Sequence, residues 1–325
     1  MSDQLERFIF SKHDIRGQMV TLTESYREVL EHNPLPAPVA RLLGEFLAAA
    51  CLLSTTLKFD GVLSIQARGE GDLPLIMAEC THHSDLRGIA RVAEDAQIDD
   101  DATLGQMIGS RGALAITLEP KRGERYQGVV PMEKENLAGC LEDYFTQSEQ
   151  LDTRFWLECD SSSVGGIMLQ VLPGNNAASA EENRDAWETA LHLADTVTDK
   201  ELFTVPHEEL IHRLFHQLEP ATLGTDSIRF KCSCSRERSA RALMSLGAED
   251  VFKLLDEQNG EIVSDCQFCN AQYRFDRDQI ESLLNAPPHS ALSGLPGRGL
   301  HPPPITIYKI GLLAPPLFTR QIPQQ

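Results

Sequence analysis

The chain has 325 residues, 42% apolar and 24% charged, enough for two or more domains with real cores in an ordinary globular protein. Its formal charge of −19 is not ordinary. An acidic surface keeps a protein soluble and repels phosphate backbones, so nucleic acid is not the expected partner. The opening, MSDQLERFIF, has no basic segment leading into a long apolar run, and the most apolar stretch, 39–57, is broken by Arg41, Gly44 and Glu45. Neither a secretory leader nor a membrane span is expected, which points to the cytoplasm, where thiols stay reduced.

Along the chain, strand-like runs are predicted over 15–23, 61–68, 73–80, 88–93, 112–118, 126–131, 153–159 and 167–172. Helices are predicted over 24–31, 39–57 and 132–147; in the second, Val39, Leu42, Leu43, Phe46, Leu47 and Ala50 share one face. Gly69-Glu70-Gly71-Asp72 reads as a hairpin turn, not a dinucleotide loop, because the third glycine is missing and a strand follows. Strands outnumber helices without alternating with them, so an α+β domain is expected over 1–178.

The pattern changes after Pro173-Gly174. Residues 179–227 read as a helical, acidic linker with two short apolar stripes. One carries Trp187, Ala190, Leu191 and Ala194; the other carries Leu210, Ile211, Leu214, Phe215 and Leu218 behind Pro206. A polar stretch at 196–200 separates them, so neither makes a core alone and both must bury against something else. Residues 228–286 form a small third region with helices at 236–246 and 248–258 and strands around the last cysteine pair. The tail, 287–325, has no acidic residue and is rich in proline. It reads as disordered or non-native sequence, outside the functional argument.

No catalytic constellation emerges, and the chain is not expected to be an enzyme. His207 and His212 lie five apart, where a zinc-protease helix needs four, so His207, His212 and His216 read as solvated helix positions. Glu142 and Asp143 are adjacent and point about 100° apart on a helix, which suits surface charge better than paired acid–base work.

The cysteines carry the strongest signal. Cys51, Cys80, Cys140 and Cys159 are scattered among apolar residues and read as core. The other four, Cys232, Cys234, Cys266 and Cys269, read C-x-C, 31 intervening residues, then C-x-x-C. Two close thiol pairs brought together by a fold supply four ligands to one tetrahedral Zn(2+), with no position left for substrate. Lys231, Arg236 and Arg238 flank the first pair and could favour its thiolate form. A thiol–disulfide oxidoreductase would need its C-x-x-C at a helix start. A zinc-ribbon nucleic-acid binder would need a basic face.

Several segments together resemble the heat shock protein 33 family of redox-regulated molecular chaperones. They are 230–238 (FKCSCSRER), 266–269 (CQFC), 57–61 (LKFDG), 87–92 (RGIARV), 123–128 (GERYQG) and 140–145 (CLEDYF). The resemblance spans residues 4–286. It implies an ATP-independent holdase that is idle with zinc bound and is switched on by oxidants together with heat. It also implies zinc ligation by Cys232, Cys234, Cys266 and Cys269, oxidation to Cys232–Cys234 and Cys266–Cys269 disulfides, unfolded proteins as clients, and a homodimer as the active form. Trp187, Leu191, Leu210, Ile211, Leu214 and Phe215 become the candidate client-binding residues.

Overall fold

The computed structural model describes residues 3–55, 60–174 and 178–285; the proline-rich tail lies outside these. Two compact units divide after Cys232. The first opens with strands β1 (Gln4–Phe10) and β2 (Ile15–Leu22), then helices α1 (Glu24–His32) and α2 (Ala37–Ser54). Strands β3 (Gly61–Arg68), β4 (Leu75–Thr81) and β5 (Asp85–Arg91) follow, then α3 (Leu104–Ile108), β6 (Ala113–Pro120), β7 (Tyr126–Pro131) and α4 (Leu137–Tyr144). Next come β8 (Thr153–Cys159) and β9 (Val164–Val171), then the linker helices α5 (Ala180–Ala194), α6 (Asp199–Thr204) and α7 (His207–Phe215). Strands β10 (Pro220–Ser227) and β11 (Arg229–Phe230) complete the unit.

These strands make two sheets. One has the order β10-β1-β2-β9-β8; the other is β11-β5-β4-β3-β6-β7. Pairing is antiparallel except for β11 on β5. The α+β class is as expected. Helix α2 touches strands of both sheets. Its Ala/Leu-rich sequence is 78% buried, although it is long and apolar enough to cross a membrane by length and composition. Here it is a core helix. Gly44 makes its close approach possible, since a Cβ there would sit 2.3 Å from the Cys159 Sγ. Cys51, Cys80 and Cys140 are buried in this core and Cys159 packs against it.

The five-stranded sheet is apolar on both faces. Leu5, Val20, Leu22, Phe155, Val164 and Met168 face the α2 core. Phe8, Phe10, Ile15, Met19, Ile167 and Leu169 belong to a second core, with Ala186, Ala190, Ala194, Leu202, Leu210, Ile211, Leu214, Phe215 and Leu218 from the linker region. Alternate residues of each strand thus face opposite layers, as the pleat requires. Gly17 gives Phe8 its seat, since a Cβ there would fall 2.1 Å from the ring.

Within the linker's polar stretch at 196–200 a further short helix starts, because Thr198 and Glu201 form a reciprocal capping box. Two expectations are corrected. Residues 132–147 are helical only from Leu137, and the chain then passes into a π turn, Phe145–Glu149. His207 is buried rather than solvated, while His212 and His216 are exposed.

The second unit contains α8 (Arg236–Met244), α9 (Ala248–Glu257), the antiparallel hairpin β12 (Glu261–Asp265)–β13 (Gln272–Asp276), and α10 (Arg277–Asn285). Its core is small: Ala240, Leu243, Val251, Leu254, Leu255, Ile262, Phe275 and Ile280.

Candidate metal centre

Local structure sets each cysteine pair. Ser235 caps α8 by accepting from the Arg238 N–H at 3.2 Å, which fixes the chain just after Cys234. Cys266 and Cys269 occupy the turn between β12 and β13. There the Asn270 N–H donates to the Cys266 carbonyl and the Cys266 N–H to the Ala271 carbonyl, both at 2.8 Å. Asn270 closes this turn in the left-handed region at φ 57°, a conformation asparagine tolerates better than most residues.

The sulfurs of Cys232, Cys234, Cys266 and Cys269 all lie within 4.8 Å of one another. The Cys234 and Cys269 Sγ atoms are 3.4 Å apart. A tetrahedral ion with zinc–sulfur bonds of about 2.3 Å sets its sulfurs about 3.8 Å apart. The four residues fit such an ion, and the cluster can hold one.

Donors surround the sulfurs. The Tyr273 hydroxyl donates to the Cys234 Sγ at 3.1 Å, and that bond is the main reason its pKa rises. Arg87, on β5, directs Nη1 at the Cys232 Sγ (3.5 Å) while Nε and Nη2 grip the Glu79 carboxylate at 2.6 and 2.5 Å. Burial disfavours the Arg87 charge, but Glu79 and Cys232 more than offset this, and its pKa stays raised. This largely buried cation, legible in the sequence only as part of the segment 87–92, was assigned no place at the cluster there.

The three flanking cations are engaged elsewhere. Lys231 joins Arg229 on Asp85, at 3.0 and 2.6 Å. Arg236 donates to Gln279 and lies over the Phe275 ring, and Arg238 donates to the carbonyl and hydroxyl of Ser233. Burial raises the Asp85 pKa, but the two bound cations outweigh it and hold the group below its usual range.

The six linker candidates do not form an open surface here. Leu210, Ile211, Leu214 and Phe215 are buried, while Trp187 packs partly buried against the same cluster and Leu191 is half-buried. Phe215 meets Phe8 and Phe10 at centroid distances of 5.7 and 5.4 Å. The sheet face beneath, with Phe8, Phe10, Ile15, Met19, Ile167 and Leu169, was not singled out from the sequence. Its signal was the near-continuous apolar run VGGIMLQV at 164–171, which marks a strand buried on both sides.

A cluster of four cysteines and helices folded over an apolar sheet define an α+β protein with a candidate metal centre, and comparison with known proteins gives its family. A family model described as Hsp33 protein matches residues 3–276. The 33 kDa chaperonin of Ectopseudomonas mendocina is 50% identical over 284 residues, spanning 87% of this chain and 96% of that one. The 33 kDa chaperonin of Pseudomonas fluorescens (strain SBW25) is 46% identical over 283 residues, spanning 87% and 94%. The crystal structure of a heat shock protein 33 homolog from Thermotoga maritima matches with a TM-score of 0.72 at 21% identity, covering 87% of this chain and 98% of that one. The chain belongs to the Hsp33 chaperone family.

Proposed function

We propose that this protein is a redox-regulated, ATP-independent holdase of the cytoplasm. In the reduced state Cys232, Cys234, Cys266 and Cys269 would hold one Zn(2+) per chain. The observation that carries this reading is the pairing of two features. Four thiols meet in one cluster, and in the same chain an apolar sheet face is closed by helices.

The energetics favour a switch. A bound tetrathiolate zinc supplies roughly 10–16 kcal/mol of apparent free energy to the fold that holds it. An entire domain has only about 5–15 kcal/mol of stability, and the buried core cluster of the second unit comprises eight residues among those described. Thiolates lost to oxidation would leave that unit without its main support. Each disulfide forms as two thiols give two electrons to hydrogen peroxide, which leaves as two waters. Bonds Cys232–Cys234 and Cys266–Cys269 would close loops of one and two residues, too short to restore order and joining neither half of the site to the other.

Helices α5, α6 and α7 run through β10 and β11 directly into Cys232. A disordered segment beyond Cys232 would loosen the short β11, then β10, and so the helices over Phe8, Phe10, Met19, Ile167 and Leu169. Apolar area is worth about 25 cal/mol per Å² when covered again, so unfolding clients would compete for it. The −19 charge would keep this exposed form soluble. Pairing of two oxidised subunits into a homodimer would cover part of the same surface.

The test is client aggregation followed by light scattering, with reduced zinc-loaded protein and with peroxide-treated, warmed protein. Suppression only by the treated form supports the proposal. Equal suppression by both forms refutes it. An insulin-reduction assay separates this reading from an oxidoreductase.

A further inference from the structure

From the first unit alone we infer a second metal site, formed by Asp60, His82 and His83, that takes a late first-row divalent ion such as Ni(2+), Cu(2+) or Zn(2+). One ligand atom from each residue lies within 4.8 Å of the others. Two imidazoles and one carboxylate with positions left open to water are a donor set for such ions, whereas calcium and magnesium prefer all-oxygen shells. His83 and Asp60 are exposed and His82 is half-buried, so an ion has direct access.

The surroundings hold the ligands in place. His82 and His83 sit in the tight turn between β4 and β5, where the Thr81 hydroxyl accepts from the His83 and Asp85 N–H groups at 3.2 and 3.1 Å. Ser84 closes the turn at φ 60°. The two rings lie 3.6 Å apart, centre to centre. His82 Nε2 is 2.6 Å from the Asp60 Oδ1, so these two ligand atoms already converge.

The remaining nitrogen of His82 meets a requirement of metal-binding imidazoles. Such a ring donates its second N–H to a carbonyl or carboxylate, which fixes the tautomer. His82 Nδ1 faces both the N–H and the carbonyl of Gly61, at 3.2 and 3.4 Å. Without metal, Nδ1 accepts from the Gly61 N–H and Nε2–H donates to Asp60. With metal on Nε2, the proton moves to Nδ1 and donates to the Gly61 carbonyl. Neither tautomer leaves a ring nitrogen unpartnered.

One group opposes binding. The Lys121 ammonium pairs with Asp60 Oδ2 at 2.6 Å, leaving Oδ1 for the ion. Its side chain is 64% exposed, so solvent screens much of its repulsion. It therefore sets the affinity without closing the site, and its removal has an effect opposite in sign to that of losing a ligand.

The experiment equilibrates full-length, untagged, zinc-loaded protein with Ni(2+) and counts nickel and zinc separately by mass spectrometry. A variant lacking the other exposed pair, His212→Gln with His216→Gln, is the background. We expect one nickel per chain in addition to zinc. His83→Ala and Asp60→Asn should each weaken it at least tenfold, and Lys121→Gln should tighten it, a gain that misfolding cannot produce. In the NMR spectrum, the paramagnetic ion should broaden His82 and His83 ring signals first. Nickel uptake unchanged by His83→Ala, lost only with His212 and His216, or absent at 100-fold excess over the chain would overturn the site.

Discussion

The Arg87 guanidinium lies 3.5 Å from the Cys232 Sγ with Nη1, while its other two nitrogens hold the buried carboxylate of Glu79. One cation thus serves a carboxylate and a sulfur. Its fork geometry allows this where a lysine could not.

Replacing Arg87 should therefore have two measurable effects. Arg87→Gln strands the Glu79 charge, and breaking a buried pair from one side costs about 3–5 kcal/mol. Urea titration should show that loss, and Glu79→Gln added to Arg87→Gln should recover most of it. Zinc retention against a chromophoric chelator should fall in Arg87→Gln, and the double variant should not restore it, because the cation beside Cys232 is still absent.

Serine at Cys266 and Cys269 should unfold the second unit, loosen the linker helices and spare the α2 core of the first. Among the described residues, the core of the first unit contains no ligand cysteine, whereas that of the second is a cluster of eight buried residues. Hydrogen exchange should show α8 and α9 unprotected while α2 and β9 remain slow. A chelator at neutral pH should reproduce the pattern.

Phe215→Ala should uncouple the switch from oxidation. The ring is fully buried against Phe8 and Phe10, and such truncations cost about 3–5 kcal/mol. We expect the reduced variant to suppress client aggregation without peroxide. His212→Ala, on the exposed side of the same helix, should behave as the parent.

Acid should also loosen the linker. His207 on α7 is 1% exposed, its Nε2 is 2.8 Å from the Thr21 hydroxyl, and its Nδ1 is buried without a partner among the described residues. Desolvation lowers its pKa from 6.5 to about 4. The unfolded chain takes up the proton first, so stability is held above pH 6.5 and lost as pH falls toward 4. The loss is about 3 kcal/mol. His207→Gln should flatten this part of the stability–pH curve, as measured by urea titration between pH 7 and 4.

The parts that local sequence encodes were legible, and those that depend on long-range partners were not. Strands such as β3 and β7 and the helix α2 are announced by alternation or by an apolar face. The cysteine cluster is announced by spacing alone. Strands β1 and β10 escaped notice because they pair with each other across more than 200 positions, as in Phe8 with Thr222 and Gln4 with Ser227. β10 is largely exposed and polar, so it carries no apolar pattern. Helix α6 was legible in principle, since Thr198 and Glu201 have capping-box spacing. His207 misled because charge at a helix start looks solvated until the sheet beneath it is known. Arg87 was legible only as part of the segment 87–92; its place beside Cys232 was not, because that sulfur lies 145 positions away.

The central claim is that the state of four sulfurs decides whether the linker helices cover the sheet. Hydrogen exchange over residues 180–218, read on the same samples as client aggregation, tests it most directly. The account expects protection there to be high in the reduced, zinc-loaded protein and to collapse with peroxide and warming as aggregation becomes suppressed. Suppressed aggregation with the linker still fully protected would contradict it.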